Sequence, residues 1–323
     1  MATGTKFELK MGAATREAFG KALVELGKVN KDVVVCDADL SKSTMTTYFA
    51  KEFPERFVSC GIAEANMVAV GAGLAASGKI AFVSSFSAFL LNKGFEQLRV
   101  TAAYPNVNLK AVGTHSGISI GEDGPSQMSI EDLALACALP GFAVFSPCDE
   151  VSMKAIIHLV AEHVGPVFVR AARAKSPVIY AAGAKFTVGG SSELIAGKDV
   201  TLISHGLLVA EAIRAAEALE AEGVSARVID MYSIKPLDRA AVERAAKETG
   251  AIVVAEEHLS DSGLGARVAQ TAAETVPCVM EFVGVNNVYA ESGGPDELLD
   301  KYGLRAVNIA AAARKAIARK GAR

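Results

Sequence analysis

Short β-branched runs alternate with helical stretches twice along this chain, and a glycine-rich break separates the two series. In the first series Val33–Cys36, Ile80–Val83, Val107–Thr114, Ala143–Ser146 and Val167–Arg170 read as strands. Thr15–Val29, Glu64–Ala76, Ala88–Ala103, Glu131–Ala138 and Glu150–Ala161 read as the helices between them. Short apolar strands separated by helices make βαβ units and a mostly parallel sheet, buried on both faces. Ser129, Ile130, Glu131 and Asp132 have the spacing of a capping box for one of these helices. Residues 174–198, with Pro177, Gly183, Gly189, Gly190 and Gly197, read as a linker with room for one short strand. The second series has strands Val200–Ser204, Ala226–Asp230, Ile252–Ala255 and Val279–Val283, and helices Leu208–Glu222, Asp238–Thr249, Gly263–Thr275 and Val307–Arg319. The expected fold is therefore α/β in two domains, 11–175 and 198–323, joined by a linker at 176–197.

Composition narrows the function. The chain has 323 residues, 51% of them hydrophobic, but aromatics are 6% and Trp is absent, so the core must come from Ala, Val, Leu and Ile. A net charge of −3 argues against a general nucleic-acid binder. The basic run Arg314, Lys315, Arg319, Lys320 and Arg323 suits a solvated helix end. The N-terminal stretch shows no apolar core of a secretory signal, and no apolar run is long enough to span a bilayer. Five cysteines without CxxC spacing read as reduced, buried structural thiols, which implies a cytoplasmic setting. No His/Cys cluster has metal-ligand spacing; His205 and His258 read as structural, His158 and His163 as incidental.

Three segments carry candidate chemistry. Phe57–Ala76 is apolar or small nearly everywhere, and beyond its opening strand its one ionisable side chain is Glu64, at a helix start. A lone buried carboxylate costs about 3–5 kcal/mol, part of which a helix N-terminus offsets. Glu64 is then either an N-terminal charge facing water or a buried acid that hands a proton to a ligand nitrogen. Phe86 and Phe89 are three apart and share a helical face. Such a pair is ordinarily core, but beside Glu64 it makes a flat apolar wall for a planar ring. Thr114–Met128 is a polar loop directly after a strand, where open α/β sheets place ligands. Its Gly117, Gly121 and Gly124 permit close backbone approach, and His115, Glu122, Asp123 and Gln127 crowd polar groups into it. A plain surface loop is the alternative; a Walker loop is not, since the Gly-Lys-Ser/Thr ending is missing.

Taken in order, GIAEANM, FSAF, THSGISIGEDGPSQM and FVRAAR resemble the pyrimidine-binding domain of transketolase, and TLISHG, VIDMYSIKPLD and AEEHLSDSGLG resemble its C-terminal domain. The first half of a complete transketolase binds diphosphate and a divalent metal through a GDG…N motif, which this chain lacks; its GEDG at 121–124 belongs to the other domain. The chain thus resembles the C-terminal subunit of a split transketolase. That resemblance implies thiamine diphosphate as cofactor, with Mg²⁺ or another divalent ion held mainly by a partner N-terminal subunit, in an assembly of two copies of each chain. It implies transfer of a two-carbon ketol unit from a ketose phosphate to an aldose phosphate, as in the pentose phosphate pathway. Glu64 falls on the glutamate that bonds a ring nitrogen of the aminopyrimidine, Phe89 on the residue packing against that ring, Phe86 beside it, and Gln127 near the ring's amino group. His115 and Asp123 fall on contacts to substrate hydroxyls, His115 with a catalytic part. Arg16, Ser43 and Arg173 fall on positions that hold the sugar phosphate, a task suited to the forked guanidinium.

Related readings share the domain pair. The β subunit of a thiamine-dependent 2-oxoacid dehydrogenase is disfavoured by GEDGPSQM, and the synthase that joins pyruvate to glyceraldehyde phosphate is a single long chain. A split enzyme for an unusual sugar phosphate or sulfosugar stands beside the pentose phosphate enzyme. A non-catalytic interaction subunit on the same fold is disfavoured by the joint presence of Glu64, Phe89, Asp123, Arg16 and Arg173.

Overall fold

The computed structural model describes residues 7–322; the first residues of the N-terminal stretch and Arg323 lie outside the described residues. Fourteen strands are found among the described residues: β1 Met11–Ala14, β2 Val33–Asp37, β3 Phe57–Ser59, β4 Ile80–Phe86, β5 Leu109–Thr114, β6 Ala143–Phe145, β7 Val167–Arg170, β8 Lys175–Pro177, β9 Ser192–Ile195, β10 Val200–Ser204, β11 Ala226–Asp230, β12 Ser233–Lys235, β13 Ala251–Leu259 and β14 Val279–Val285. They form a seven-stranded sheet in the order β12-β6-β7-β5-β4-β2-β3 and a five-stranded sheet in the order β14-β13-β10-β11-β9. All pairings within each sheet are parallel except the antiparallel edges β12 on β6 and β9 on β11. The two-domain α/β expectation is met.

Period-two alternation splits the inward residues of the first sheet between two layers. Val33, Val35, Phe82 and Val112 pack with Phe19, Leu23, Ile156 and Val160 of helices Thr15–Val29 and Glu150–Glu162. Val34, Cys36, Val83 and Ala111 pack with Met67, Val68, Leu90, Leu91 and Leu98 on the other face. Helix Glu64–Ala76 lies close on that face because Gly71 has no side chain: a Cβ there would stand 2.3 Å from Val83 Cγ1.

The linker stretch holds two strands, not one. β8 pairs back on β1, and β9 joins the second sheet. Strand β12, from the second series, leaves its own unit and covers the β6 edge of the first sheet, satisfying an edge that would otherwise present unpaired backbone. Ile203, Ile229, Ile234 and Val254 of the second unit share one apolar cluster with Leu133, Ala136 and Leu139 of the first, so the core continues across the seam.

Local expectations are corrected at the capping box, at one helix and at the thiols. The Ser129–Asp132 capping box does not form: helix Asp132–Ala138 has no side-chain cap, and Asp132 turns instead to Ser87 and Arg170. Asp149 and Ser152 form a capping box at the helix that starts at Glu150. The expected helix Ala88–Ala103 is α-helical over Ser87–Gln97 and continues as a π-helix over Leu98–Ala103. Only Cys36 and Cys148 of the five thiols are fully buried; burial pushes Cys36 up to about 12. The C-terminal basic run lies on an exposed helix end as expected, with Arg314 paired to Glu222 and Lys315 and Arg319 to Glu281 at the surface. Among the described residues no helix is long and apolar enough to cross a membrane.

Candidate active site

The chain steps from β2 out to β3 at the sheet edge and then back past β2 to β4, so the strand order reverses there. Ligands of open α/β sheets bind outside the carboxyl ends of strands at such a switch. The residues singled out from sequence leave those ends: Ser43 after β2, Glu64 after β3, Phe86 at the end of β4, His115 after β5 and Arg173 after β7.

Glu64 opens helix Glu64–Ala76 and is 3% exposed, which decides against the water-facing alternative. Its carboxylate has few and long contacts. Ser85 Oγ donates to Oε1 at 3.4 Å, and Lys93 Nζ stands 3.5 Å from Oε2. The next residue after Ser85 starts an aromatic wall. The Phe86 and Phe89 rings lie 5.6 Å apart at 15°, and the His115 ring stacks on Phe86 at 3.8 Å and 21°. Lys93 Nζ also lies over the Phe89 ring, 4.4 Å from its centre.

His115 is buried and adopts the left-handed backbone region, φ 59°. Few non-glycine residues do so, and the strain points to a site that needs the ring where it is. Burial, and then the guanidinium charges of Arg16 and Arg173, push it down to about 3, so the imidazole is neutral at neutral pH. Its Nδ1 is 2.9 Å from Thr114 Oγ1.

Arg16 donates from Nη1 to Ser43 O at 2.7 Å, while its buried Nε has no hydrogen-bond partner among the described residues. Burial and the charge of Arg173 lower its pKa. Two guanidiniums that repel each other beside an unused donor make a place for an anion. Arg173 donates to Ile120 O and pairs with Glu122 at 3.0 Å. The loop carrying Ser43 is fixed by buried Asp37, which accepts from Thr44 Oγ1 at 2.7 Å, Thr46 Oγ1 at 2.8 Å and Leu40 N at 2.7 Å.

Glu64, Phe86, Phe89 and His115 therefore stand together, with Arg16, Ser43 and Arg173 alongside. Asp123 is exposed at its turn and Gln127 is half-buried; among the described residues neither side chain hydrogen-bonds to that group. The loop glycines serve the second unit: Cβ atoms on Gly117, Gly121 and Gly124 would meet the Glu257 carboxyl at 2.3 Å, Pro295 at 3.0 Å and Ser292 Oγ at 2.5 Å. Sequence reasoning missed Lys93, whose only local signal is its position four residues beyond Phe89 on one helix. It missed Ser85 and Thr114 too, which carry no local signal of their roles.

The buried, loosely held acid beside a flat aromatic wall fits the pyrimidine half of thiamine diphosphate. Among the described residues no three His, Cys, Asp or Glu side chains are grouped to hold a metal ion. A cleft of about 670 Å³ opens elsewhere, between helices Thr15–Val29 and Glu150–Glu162. Its Glu25 is taken up by Lys154 and His158, and it touches none of the residues above.

The fold is that of two α/β units, the first carrying this site at its switch point. Residues 11–178 match the family model described as transketolase, pyrimidine binding domain, and residues 190–309 match transketolase, C-terminal domain. The chain belongs to the transketolase family. It is 43% identical over 298 residues to a putative transketolase C-terminal section of Methanocaldococcus jannaschii, covering 91% of this chain and 93% of that one. It is 37% identical to the 6-deoxy-6-sulfo-D-fructose transketolase subunit SqwH of a Clostridium species, over 98% of this chain and 99% of that one. A solved split-gene transketolase, described as an inactive beta4 tetramer, is 48% identical with a TM-score of 0.90, covering 96% of this chain and all of that one. Against human transketolase the identity is 39%, over 93% of this chain and 48% of the longer protein.

Proposed function

We propose that this chain is the pyrimidine-binding subunit of a thiamine-diphosphate-dependent transketolase that works with a separate diphosphate-binding chain. The observation that carries the reading is Glu64: a carboxylate 3% exposed, at a helix start, with no polar side-chain contact shorter than 3.4 Å among the described residues and an aromatic wall beside it. An acid that deep is ordinarily saturated with partners. Here its hydrogen-bonding capacity is left for a ring nitrogen on a bound ligand.

When bound, thiamine diphosphate supplies a nucleophilic carbon and an electron sink for cleaving the bond next to a ketose carbonyl. This chain's residues bind and orient. Glu64 shares a proton with the aminopyrimidine, and Phe89, backed by Phe86, keeps water off that ring. Neutral His115 gives or accepts a hydrogen bond at substrate hydroxyls without bringing charge. Arg16 and Arg173 take the substrate's terminal anion, with the idle Arg16 Nε as the free donor. Asp123 and Gln127 are assigned to substrate and cofactor by the family resemblance alone. Mg²⁺ and diphosphate are held by the partner, and the assembly has two copies of each chain. The inactive state of the solved split-gene tetramer supports the need for that partner.

Mixing tests the reading. The isolated chain is expected to turn over no xylulose 5-phosphate, and the mixture with a GDG…N chain, thiamine diphosphate and Mg²⁺ to turn it over. Turnover by the chain alone would end the two-chain reading. The Clostridium relative favours a second donor class, a ketose ending in sulfonate. Comparing kcat/KM for 6-deoxy-6-sulfofructose and fructose 6-phosphate decides between the two anions.

A further inference from the structure

Lys93 stands where a ligand ring is expected. Its Nζ is 3.5 Å from Glu64 Oε2 and 4.4 Å from the centre of the Phe89 ring. A planar base that stacks on Phe89 and bonds Glu64 needs both of these contacts. We propose that Lys93 holds the place of the cofactor's aminopyrimidine in the cofactor-free chain and must swing aside for the ring to enter, so that it sets the affinity of this site for thiamine diphosphate. The inference rests on the reading of Glu64 and Phe89 as the ring-binding pair.

Three features of the side chain support an exchange. Its flexible stem leaves helix Ser87–Gln97 on an exposed face, and the side chain is 53% exposed, so it has water to swing into. The ammonium satisfies the two ligand-binding groups in the manner of a stand-in, through charge at the carboxylate and through a cation over the ring. Both attractions are modest where water reaches the cation, so a ligand can displace it.

The test is the affinity of the two-chain mixture for thiamine diphosphate with Mg²⁺, measured by titration calorimetry. Lys93→Met keeps the length and removes the competing charge, and its apparent Kd is expected to fall by about 3- to 10-fold. Lys93→Arg keeps the competition and is expected to stay within about twofold of the parent. An unchanged or raised Kd for Lys93→Met overturns the proposal. Glu64→Gln and Phe89→Ala are run beside it and are expected to weaken binding. If they do and Lys93→Met does not tighten it, the stand-in role alone falls. If neither weakens it, the ring-binding reading of the site falls first. A chain-alone melting temperature for each variant separates a folding defect from a binding effect.

Discussion

Two sets of buried acids, one at the seam between the units and one at the switch point, are treated in opposite ways. At the seam between the two units, Asp132 accepts from Ser87 Oγ at 2.8 Å, Arg170 Nε at 2.8 Å and Leu133 N at 3.0 Å. Glu256 accepts from Leu264 N and Gly265 N, both at 2.8 Å, at the start of helix Leu264–Glu274. Glu257 accepts from Ser119 N at 2.5 Å, and Arg170 reaches its backbone carbonyl at 2.9 Å. Burial alone would raise Asp132, but Arg170 and His258 hold it below the usual carboxylate range. At the switch point, among the described residues, Glu64 has only the long polar contacts to Ser85 and Lys93. Both places incur the desolvation cost of a charge. The seam offsets it internally at Asp132 and Glu256, while burial still raises Glu257; the slot leaves it to be offset by something that comes and goes.

That contrast can be broken from either side. Glu64→Gln is expected to lower turnover of the two-chain mixture by about 10²- to 10⁴-fold, the range for lost proton transfer, with the thermal midpoint of this chain unchanged. A large drop in that midpoint would make Glu64 structural, like the seam acids. Arg170→Met should do the reverse. It strands Asp132 and is expected to cost about 3–5 kcal/mol in urea unfolding, and an unchanged midpoint would remove the distinction. Next in size is Arg173→Ala, expected to raise KM for a sugar phosphate by about 10- to 100-fold with kcat little changed, as for one charged hydrogen bond. A kcat effect with constant KM would move Arg173 out of substrate binding.

The smallest test uses pH, because a buried group of the slot and one beside the linker titrate with opposite sign. His115 has a folded value of about 3 against 6.5 for a free imidazole. The unfolded chain binds more protons in that window, so its contribution is complete above 6.5 and is lost as pH falls. Asp230, buried against Tyr180 OH at 2.7 Å where linker and second unit meet, is pushed by burial from 3.8 up to about 7. There the folded chain binds more protons, so its contribution is complete below 3.8 and is lost as pH rises through 7. Between 3.8 and 6.5 the two slopes oppose each other, so in unfolding free energies His115→Gln should tilt the profile toward lower stability as pH rises and Asp230→Asn toward higher stability, by at most about 1.4 kcal/mol per pH unit each. Identical slopes for parent and variants would contradict both assignments.

The site was legible in part, for reasons that can be named. Glu64 announced itself because one carboxylate in an apolar run contradicts its surroundings. The Phe86 and Phe89 pair followed from helical spacing. Lys93 did not, since the contact that gives it meaning crosses from one helix to the start of another. The glycines of the 117–124 loop were read as room for a ligand, but what fills that room is Glu257, Ser292 and Pro295, far along the chain. The failed capping box at Ser129–Asp132 has the same origin: Arg170 and Ser87 offer Asp132 stronger partners than the local backbone does.

Sequence by itself determined most of the strands and helices and the two-unit plan, because periodic burial and backbone preference act over a few neighbouring residues. Tertiary structure alone decided that β12 would cross to the other unit's sheet, that the seam would neutralise its own charges, and that a lysine would lie across Glu64 and Phe89. Those outcomes depend on which groups meet across long stretches of chain. There the strength of a charge pair or a sheet edge is set by distance and burial, which no local pattern encodes.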